Sequence, residues 1–243
     1  MSANSVRLDR LLANLGYGSR RDIHILARQG RITLDGAVFD DVERRFDLCE
    51  GLRASLSVDG EQLDPLPGMV LMLNKPLGVT CSHREAGPLV YSLLPERWRR
   101  RDPPLSTVGR LDKDTSGLLL VTDDGALLHK IISPRRQISK IYRAVLGRPF
   151  RGDEAAIFAS GEMMLAGENK PLLPALLNVL GPKEARVTIF EGRYHQIRRM
   201  FVAVGNHVVD LDRESVGGLS LDENMAPGEY RLLEPDEIET IFA

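Results

Sequence analysis

The residues most suited to chemistry lie in a turn-forming segment near the middle of the chain, Val108–Leu120. Asp112 stands there between Arg110, two residues before it, and an apolar run that starts at Leu118. An aspartate, with an unperturbed pKa of about 3.9, is ionised at neutral pH and can act as a nucleophile or a general base. Burial would raise that pKa and neutralise the carboxylate unless a cation lies nearby. Taken alone, an aspartate in such a segment more often marks a surface turn that leads into a buried strand, so the functional interpretation depends on the other motifs of the chain.

Two further segments carry residue types that could complete such a site. One is Lys140-Ile141-Tyr142, and the other runs Glu191-Gly192-Arg193-Tyr194-His195-Gln196-Ile197-Arg198-Arg199-Met200. An arginine is a dependable partner for a carboxylate because it stays protonated and can bind both carboxylate oxygens. A tyrosine can stack on a nucleobase, which contributes roughly 1–3 kcal/mol. Outside such a context, the same side chains would be a sheet tyrosine, a core isoleucine and an exposed helical arginine.

Together, the three segments resemble the active-site motifs of the pseudouridine synthases that modify structured RNA. The family pattern is Gly/His-Arg-Leu-Asp with Thr-Ser/Thr-Gly-Leu, then Lys-x-Tyr, then Glu-Gly-Arg-x-His-Gln-[Ile/Val]-[Lys/Arg]-Arg-Met, and this chain has these motifs in that order. The resemblance implies an isomerase that breaks the bond between uracil N1 and ribose C1′, turns the base, and joins C5 to C1′. It implies no cofactor and no metal, and the histidines and cysteines show no metal-ligand spacing.

The resemblance also implies three catalytic residues. Asp112 either attacks C1′ as a nucleophile or removes the C2′ proton as a base, and the sequence leaves both routes open. Arg198 is implied to be its ion-pair partner, and Tyr142 to stack on the extracted uracil or to move the proton from C5. Reference members often have lysine at the position of Arg198, a difference that should leave an ion pair intact.

Four further residues are implied to bind the substrate. Ile197 would form an apolar wall of the uracil pocket, and Arg110 would occupy the place that the extracted base has left. His195 and Gln196 would orient the site by hydrogen bonding, although a purely structural role is an alternative for both. Taking a base out of its stack costs a few kcal/mol, which such contacts must offset.

The N-terminal part shows helix and hairpin signals. Apolar residues at helical spacing from Leu8 to Leu15 predict one helix, and Ser19 offers an N-cap to a second helix that stops at Gly30. A short strand and the two-residue turn Asp35-Gly36 follow. This order resembles the S4-like RNA-binding domain, which implies phosphate contacts from its basic side chains: Arg20, Arg21, Arg28 and Arg31. A generic helix-hairpin with exposed arginines is the alternative.

The rest of the chain mixes strands and helices without regular βαβ alternation. We therefore predict an α+β fold, with a mixed, largely antiparallel β-sheet flanked by helices and loops. Strands are predicted over 69–73, 118–122, 139–146, 172–180 and 186–190, helices over 126–132, 194–204 and 237–242, and a loop over 97–104. The predicted domains are an S4-like domain at 1–62, a proline-containing linker at 63–68, and a pseudouridine synthase catalytic domain at 69–243.

Composition limits the class of protein and the compartment. The 243 residues exceed the usual size of one domain, and an apolar content of 43% is enough for a substantial core. No apolar run is long enough to cross a bilayer, so we expect no membrane contact. Two cysteines without a disulfide framework fit a reducing cytoplasm. We expect a cytoplasmic monomer.

Charge distribution favours a polyanionic partner more than the net charge does. The net charge of −2 argues mildly against nucleic acid. No acidic residue occurs from Gly125 to Gly152, however, whereas basic residues are frequent there. We predict RNA contacts from this stretch by Lys130, Arg135, Arg136 and Lys140. A solvated basic surface is the alternative.

The last third of the chain is most similar to the RsuA type, which modifies a single uridine of small-subunit (16S) ribosomal RNA, the site known as 516 in the family. The expected partner is therefore ribosomal RNA, either naked or in a partly assembled subunit. Two alternatives stay open: a related synthase acting on a 23S ribosomal RNA uridine, and a non-catalytic S4-type RNA-binding or ribosome-assembly protein. The last would bind RNA in a salt-dependent way without altering any uridine.

Overall fold

A computed structural model describes residues 5–82 and 87–243, which form two compact units. The first unit holds the described residues up to Met69, with Leu94–Ser106 and Thr122–Asp124. The second holds the described part of Val70–Leu93, with Thr107–Val121 and Gly125–Ala243. Two segments of the predicted catalytic domain, 94–106 and 122–124, thus cluster with the N-terminal residues. His83, one of the histidines considered above, lies outside the described residues.

The first unit joins short helices to two small antiparallel sheets. Its elements are β1 Ser5–Arg7, α1 Leu8–Asn14, α2 Arg20–Arg28, β2 Ile32–Leu34, β3 Ala37–Val38, β4 Arg45–Asp47, α3 Glu50–Ser55, β5 Leu56–Val58 and β6 Glu61–Gln62. Strands β3, β2, β5 and β6 pair in that order, and β1 pairs with β4.

Local signals account for the helices and the first turn of this unit. The Ser19 hydroxyl accepts a hydrogen bond from the Asp22 amide at 3.2 Å, and the Asp22 carboxylate accepts one from the Ser19 amide at 2.9 Å. This reciprocal cap begins α2, as predicted. Asp35 and Gly36 both adopt positive φ, 51° and 79°, which a tight hairpin turn requires. The predicted helix at 8–15 and the following hairpin are confirmed.

The predicted linker at 63–68 contains no helix or strand, but its first residues are packed. Leu63 belongs to the apolar core of the first unit. Asp64 accepts two hydrogen bonds from the Arg97 guanidinium, at 2.6 and 3.1 Å. The predicted loop at 97–104 is wrong in part, because Glu96–Arg100 forms a 3₁₀ helix that buries Trp98. Burial of a large indole stabilises this turn in spite of its arginine-rich sequence.

The second unit is built on one large sheet. The strands of this sheet and the helices that accompany them in the chain are β7 Val70–Lys75, β8 Ser106–Thr107, β9 Ser116–Thr122, α4 Gly125–Ile132, β10 Lys140–Leu146, α5 Glu154–Ala159, β11 Leu176–Gly181, β12 Glu184–Ile189, α6 Gln196–Ala203, β13 Val208–Val216, β14 Leu219–Ser220, β15 Tyr230–Leu232 and α7 Pro235–Thr240. Short 3₁₀ helices occur at Val90–Leu93 and Pro134–Arg136. None of the described helices is long and apolar enough to cross a membrane.

The strand order explains how distant motifs meet. The path is β11-β12-β10-β13-β9-β7-β15, with β14 beside β13 and β8 beside β9. Strand β10 pairs antiparallel with β12 on one side and with β13 on the other, whereas β13 and β9 pair parallel. At that parallel contact Gly117 has φ +98°, and a Cβ there would lie 2.4 Å from the Arg213 carbonyl oxygen, so only glycine fits. The sheet is mixed and largely antiparallel, as predicted.

Candidate active site

A cavity of about 420 Å³ in the second unit brings the predicted catalytic residues together. Asp112 enters from the turn before β9, Tyr142 from β10, and Arg198 from α6. The predicted substrate-binding residues line the same cavity: Arg110, His195, Gln196 and Ile197. Three segments that are far apart in sequence therefore form one site.

Hydrogen bonds from the end of β7 and the residues after it support the turn that carries Asp112. Lys75, at the end of β7, is fully buried, and its Nζ donates to the carbonyl oxygens of Thr115 at 2.8 Å and Pro76 at 3.0 Å. Burial lowers the pKa of the Lys75 ammonium. The amide of Gly78 donates to the Lys113 carbonyl at 2.8 Å. The Asn-Lys-Pro-Leu-Gly segment thus positions the turn from which Asp112 projects.

His195 is the side chain that approaches Asp112. Its Nε2 lies 3.5 Å from Asp112 Oδ1, and the Asp112 side chain is 31% exposed, so the carboxylate can be reached from the cavity. His195 adopts a left-handed φ of 48°, which delays the start of α6 to Gln196 instead of the predicted 194. The neighbouring Tyr194 ring stacks on the imidazole with centroids 3.9 Å apart and is itself 74% exposed.

The expected ion pair between Arg198 and Asp112 does not form among the described residues. Arg198 Nη2 instead lies 3.1 Å from Asp114 Oδ2 and donates to the Asp114 carbonyl at 2.7 Å, while Nη1 donates to the Val208 carbonyl at 3.2 Å. Asp112 and Asp114 lie on the same turn, and Asp114 is the one that faces the α6 guanidinium. Arg198 in α6 therefore links the turn that carries Asp112 to the start of β13.

The apolar and amide side chains of the site differ in their surroundings. Tyr142 and Ile197 are buried and form cavity wall, as expected for surfaces that would contact a base. Gln196 is also buried, and its Oε1 accepts the Arg193 amide at 2.9 Å, so its hydrogen bonds serve the loop before α6. Among the described residues, no group of His, Cys, Asp or Glu side chains could hold a metal ion.

The basic residues predicted from the acid-free stretch fall into two sets. Lys140 lines the cavity, and burial, with a contribution from Arg213, lowers the pKa of its ammonium. Lys130, Arg135 and Arg136 do not line the cavity. Lys130 Nζ lies 3.9 Å from the centroid of the Phe242 ring, and both arginines are exposed on a 3₁₀ turn.

The predicted RNA-binding arginines of the first unit also divide into two pairs. Arg20 donates a hydrogen bond to the buried Asp9 carboxylate at 2.6 Å, and Arg31 donates one to the Asp59 carboxylate at 2.8 Å. Arg21 and Arg28 are exposed on α2 and form no ion pair within the described part of the chain. Phosphate contacts by all four stay a prediction.

Comparison with known proteins identifies the family. The profile described as RNA pseudouridylate synthase matches residues 69–203, which contain Asp112, Tyr142 and Arg198. The chain belongs to the RNA pseudouridylate synthase family. The sequence prediction of an RNA pseudouridine synthase is confirmed.

Relatives of this synthase align over nearly its whole length. The "Ribosomal small subunit pseudouridine synthase A" of Escherichia coli (strain K12) is 42% identical over 240 residues, which cover 97% of this chain and 100% of the relative. The protein of the same name from Vibrio cholerae is 38% identical over 237 residues, covering 98% and 100%. A solved structure titled as a pseudouridylate synthase is 35% identical, with a TM-score of 0.68 and coverage of 97% and 99%. The predicted resemblance to the RsuA type is confirmed.

Sequence reasoning missed three residues of this synthase site. The sequence assigns no role to Lys75, Tyr194 or Arg213. Lys75 ends a strand that begins with the apolar run Val70-Leu71-Met72-Leu73, and this position could have signalled a buried ammonium. An arginine between two acids in Asp212-Arg213-Glu214 looks like a solvated strand, and no local signal marks it as buried.

Lys75→Met is expected to lower the turnover of the synthase by about tenfold or more, since a misplacement of about 1 Å in a catalytic group can cost 10²-fold. Methionine keeps the apolar stem but leaves the Thr115 carbonyl without its donor, so the Asp112 turn loses its support. Single-turnover rates of pseudouridine formation measure the effect, and circular dichroism checks the fold. Lys183→Met is the matched control, because Lys183 Nζ also donates to a backbone carbonyl, that of Gly147, outside the cavity. Equal rates for the two variants would contradict the positioning role.

Proposed function

We propose that this synthase isomerises one uridine of small-subunit (16S) ribosomal RNA to pseudouridine, at the site known as 516 in the family, with Asp112 as the nucleophile or base and without a cofactor. The observation that carries the proposal is the convergence of Asp112, Tyr142 and Arg198 on one cavity. The chain is also 42% identical, over 97% of its length, to a relative named for the small subunit. A ribosomal RNA substrate would place the enzyme in the cytoplasm.

The cavity offers what the isomerisation needs. A flipped nucleoside is small enough for about 420 Å³, and its uracil would lie between the Tyr142 ring and the Ile197 side chain. Asp112 then attacks C1′ or removes the C2′ proton, and the N1–C1′ bond pair leaves with the base. After the base has turned, C5 bonds to C1′ as the Asp112–C1′ ester bond breaks and the carboxylate is released, or, in the other route, as C2′ regains its proton from Asp112. The C5 proton is then lost, and N1 takes up a proton. His195, 3.5 Å from Asp112, orients the carboxylate.

RNA outside the cavity would be held by exposed basic and aromatic groups. Arg110 lines the cavity and is exposed, so its side chain could occupy the space that the flipped base leaves in the RNA helix. The exposed Tyr194 ring gives a stacking surface beside it. Of the four predicted arginines in the first unit, Arg21 and Arg28 are better able to bind phosphate than Arg20 and Arg31, which already contact carboxylates. We propose that this unit acts as an S4-like tether of modest affinity.

Mapping of pseudouridines in both ribosomal RNAs tests the proposal. The gene is deleted in its source organism and restored as wild type or as Asp112→Asn. We expect one small-subunit uridine to lose its modification on deletion and to regain it only with the wild-type gene. A change confined to a large-subunit uridine would favour the related 23S enzyme. No change in either RNA, with salt-dependent RNA binding by the purified protein, would favour the non-catalytic alternative.

A further inference from the structure

A buried arginine faces the catalytic cavity without an acidic partner. Arg213, in β13, is 4% exposed and lines the cavity. Its Nε donates to the Leu118 carbonyl at 2.7 Å, whereas Nη2 is buried with no hydrogen-bond partner. The acids that flank it bond elsewhere: Asp212 accepts the Ser116 hydroxyl at 2.7 Å, and Glu214 pairs with Arg186 at 2.7 Å. One donor of this guanidinium is therefore unused.

Without a ligand, the buried and unpaired guanidinium of Arg213 is energetically unfavourable, because other positive charges lie near it. Within the described residues the guanidinium forms no ion pair. Lys140 lines the same cavity, and the ammonium of Lys75 is near enough for its pKa to respond to the charge of Arg213. Burial lowers the pKa of both Lys75 and Lys140, and the positive charge of Arg213 lowers each further. A buried cation without a counter-charge is costly, as is a buried donor without an acceptor. A ligand that brings an acceptor oxygen or a negative charge would offset both costs.

Strand register fixes where that ligand would lie. Tyr142 of β10 is the direct register partner of Arg213 in β13, so the two side chains share one face of the sheet. The Arg213 Cζ lies 6.0 Å from the centre of the Tyr142 ring. A flat base that stacks on Tyr142 would therefore present its edge to the guanidinium.

We propose that Arg213 donates a hydrogen bond to O2 or O4 of the extracted uracil and stabilises the uracil anion that forms when the glycosidic bond breaks. The inference rests on the proposed function and adds a substrate-contacting residue to it. In both routes open to Asp112, the electron pair of the N1–C1′ bond leaves with the base. Its negative charge then spreads over N1, O2 and O4, until C5 bonds to C1′ as the Asp112 ester bond breaks or as C2′ regains its proton. C5 then releases its own proton. A guanidinium fixed beside a carbonyl oxygen stabilises the uracil anion more than it stabilises the neutral uracil that is still bonded to C1′.

The test combines enzyme variants with changes in the substrate. Single-turnover rates are measured on RNA that carries uridine, 2-thiouridine or 4-thiouridine at the mapped position, for wild type and Arg213→Met. Sulfur accepts hydrogen bonds poorly, and its intrinsic effect on the leaving group is the same for both enzymes, so it cancels in the ratio of rates. We expect Arg213→Met to react about 10²-fold more slowly with uridine, as when one oxyanion donor is removed. We also expect one thiouridine to slow wild type about tenfold more than it slows the variant.

Arg213→Lys is the second variant, for the case that loss of the Leu118 contact unfolds Arg213→Met, because lysine keeps the positive charge. The same thiouridine should again slow Arg213→Lys by a smaller factor than it slows wild type. Arg143→Met is the matched control, because Arg143 is the next residue after Tyr142, is exposed, and pairs with Glu184. It should retain both the wild-type rate and the wild-type thiouridine ratios. Identical thiouridine ratios in wild type and folded Arg213 variants would overturn the proposal and leave Arg213 a structural role. Wild type without activity on any RNA would instead refute the proposed function.

Discussion

Asp112→Asn is expected to slow pseudouridine formation by about 10³-fold or more, while RNA affinity stays within about twofold of wild type. The asparagine amide has nearly the shape of the carboxylate but is neither a useful nucleophile nor a base. Asp112 makes no ion pair with an arginine among the described residues, and its nearest charged or chargeable neighbour is His195 at 3.5 Å. Loss of its charge should therefore leave the fold intact. A 10³-fold loss corresponds to about 4 kcal/mol of transition-state stabilisation.

Release of the C5 proton from RNA labelled at uracil C5 measures turnover, and filter binding measures affinity. Asp210→Asn serves as the control, because Asp210 is an exposed aspartate of β13 that does not line the cavity. It should behave as wild type in both assays. Turnover by Asp112→Asn within tenfold of wild type would show that another group carries the chemistry, since no amide substitutes for a carboxylate so well.

Arg198→Met is expected to lower turnover by about 10²-fold and the free energy of unfolding by about 1–3 kcal/mol. The Arg198 side chain is 18% exposed, and its guanidinium contacts the Asp114 carboxylate and donates hydrogen bonds to the Asp114 and Val208 carbonyls. Methionine leaves these acceptors without their donor and frees the Asp112 turn from α6. The ion pair with Asp114 adds little to stability by itself, because the Asp114 side chain is 65% exposed and solvent screens it.

Urea denaturation and single-turnover kinetics separate the two effects of this change. Arg198→Lys should keep the pair with Asp114 and lose less than about tenfold in rate, since a lysine supplies the same charge. Arg199→Met is the control on the same helix, because Arg199 bonds Glu168 and the Ala166 carbonyl and does not line the cavity. A similar loss of turnover in Arg199→Met would mean that any weakening of α6 matters. Full activity of a stable Arg198→Met would reduce Arg198 to a surface group.

Features encoded by neighbouring residues could be predicted from the sequence. The Ser19–Asp22 cap and the Asp35-Gly36 turn depend on residues at most three positions apart, so the pattern alone indicates them. The same holds for the apolar period of α6, which placed Ile197 on the buried face. The motifs that carry Asp112, Tyr142 and Ile197 predicted that these residues serve one site, and all three line one cavity.

Contacts between distant residues were decided only by the tertiary structure. Arg198 bonds Asp114 instead of Asp112, a choice between two carboxylates on one turn that depends on how α6 packs. Lys75 reaches Thr115 across 40 positions, and Arg213 reaches Leu118 across 95, because β7, β9 and β13 lie in one sheet. No local period or cap encodes such pairings, since they follow from strand order and register. The sequence by itself determined which side chains have the chemical groups that the site needs. The packing of the sheet decided which hydrogen-bond and ion-pair partners each of these side chains contacts.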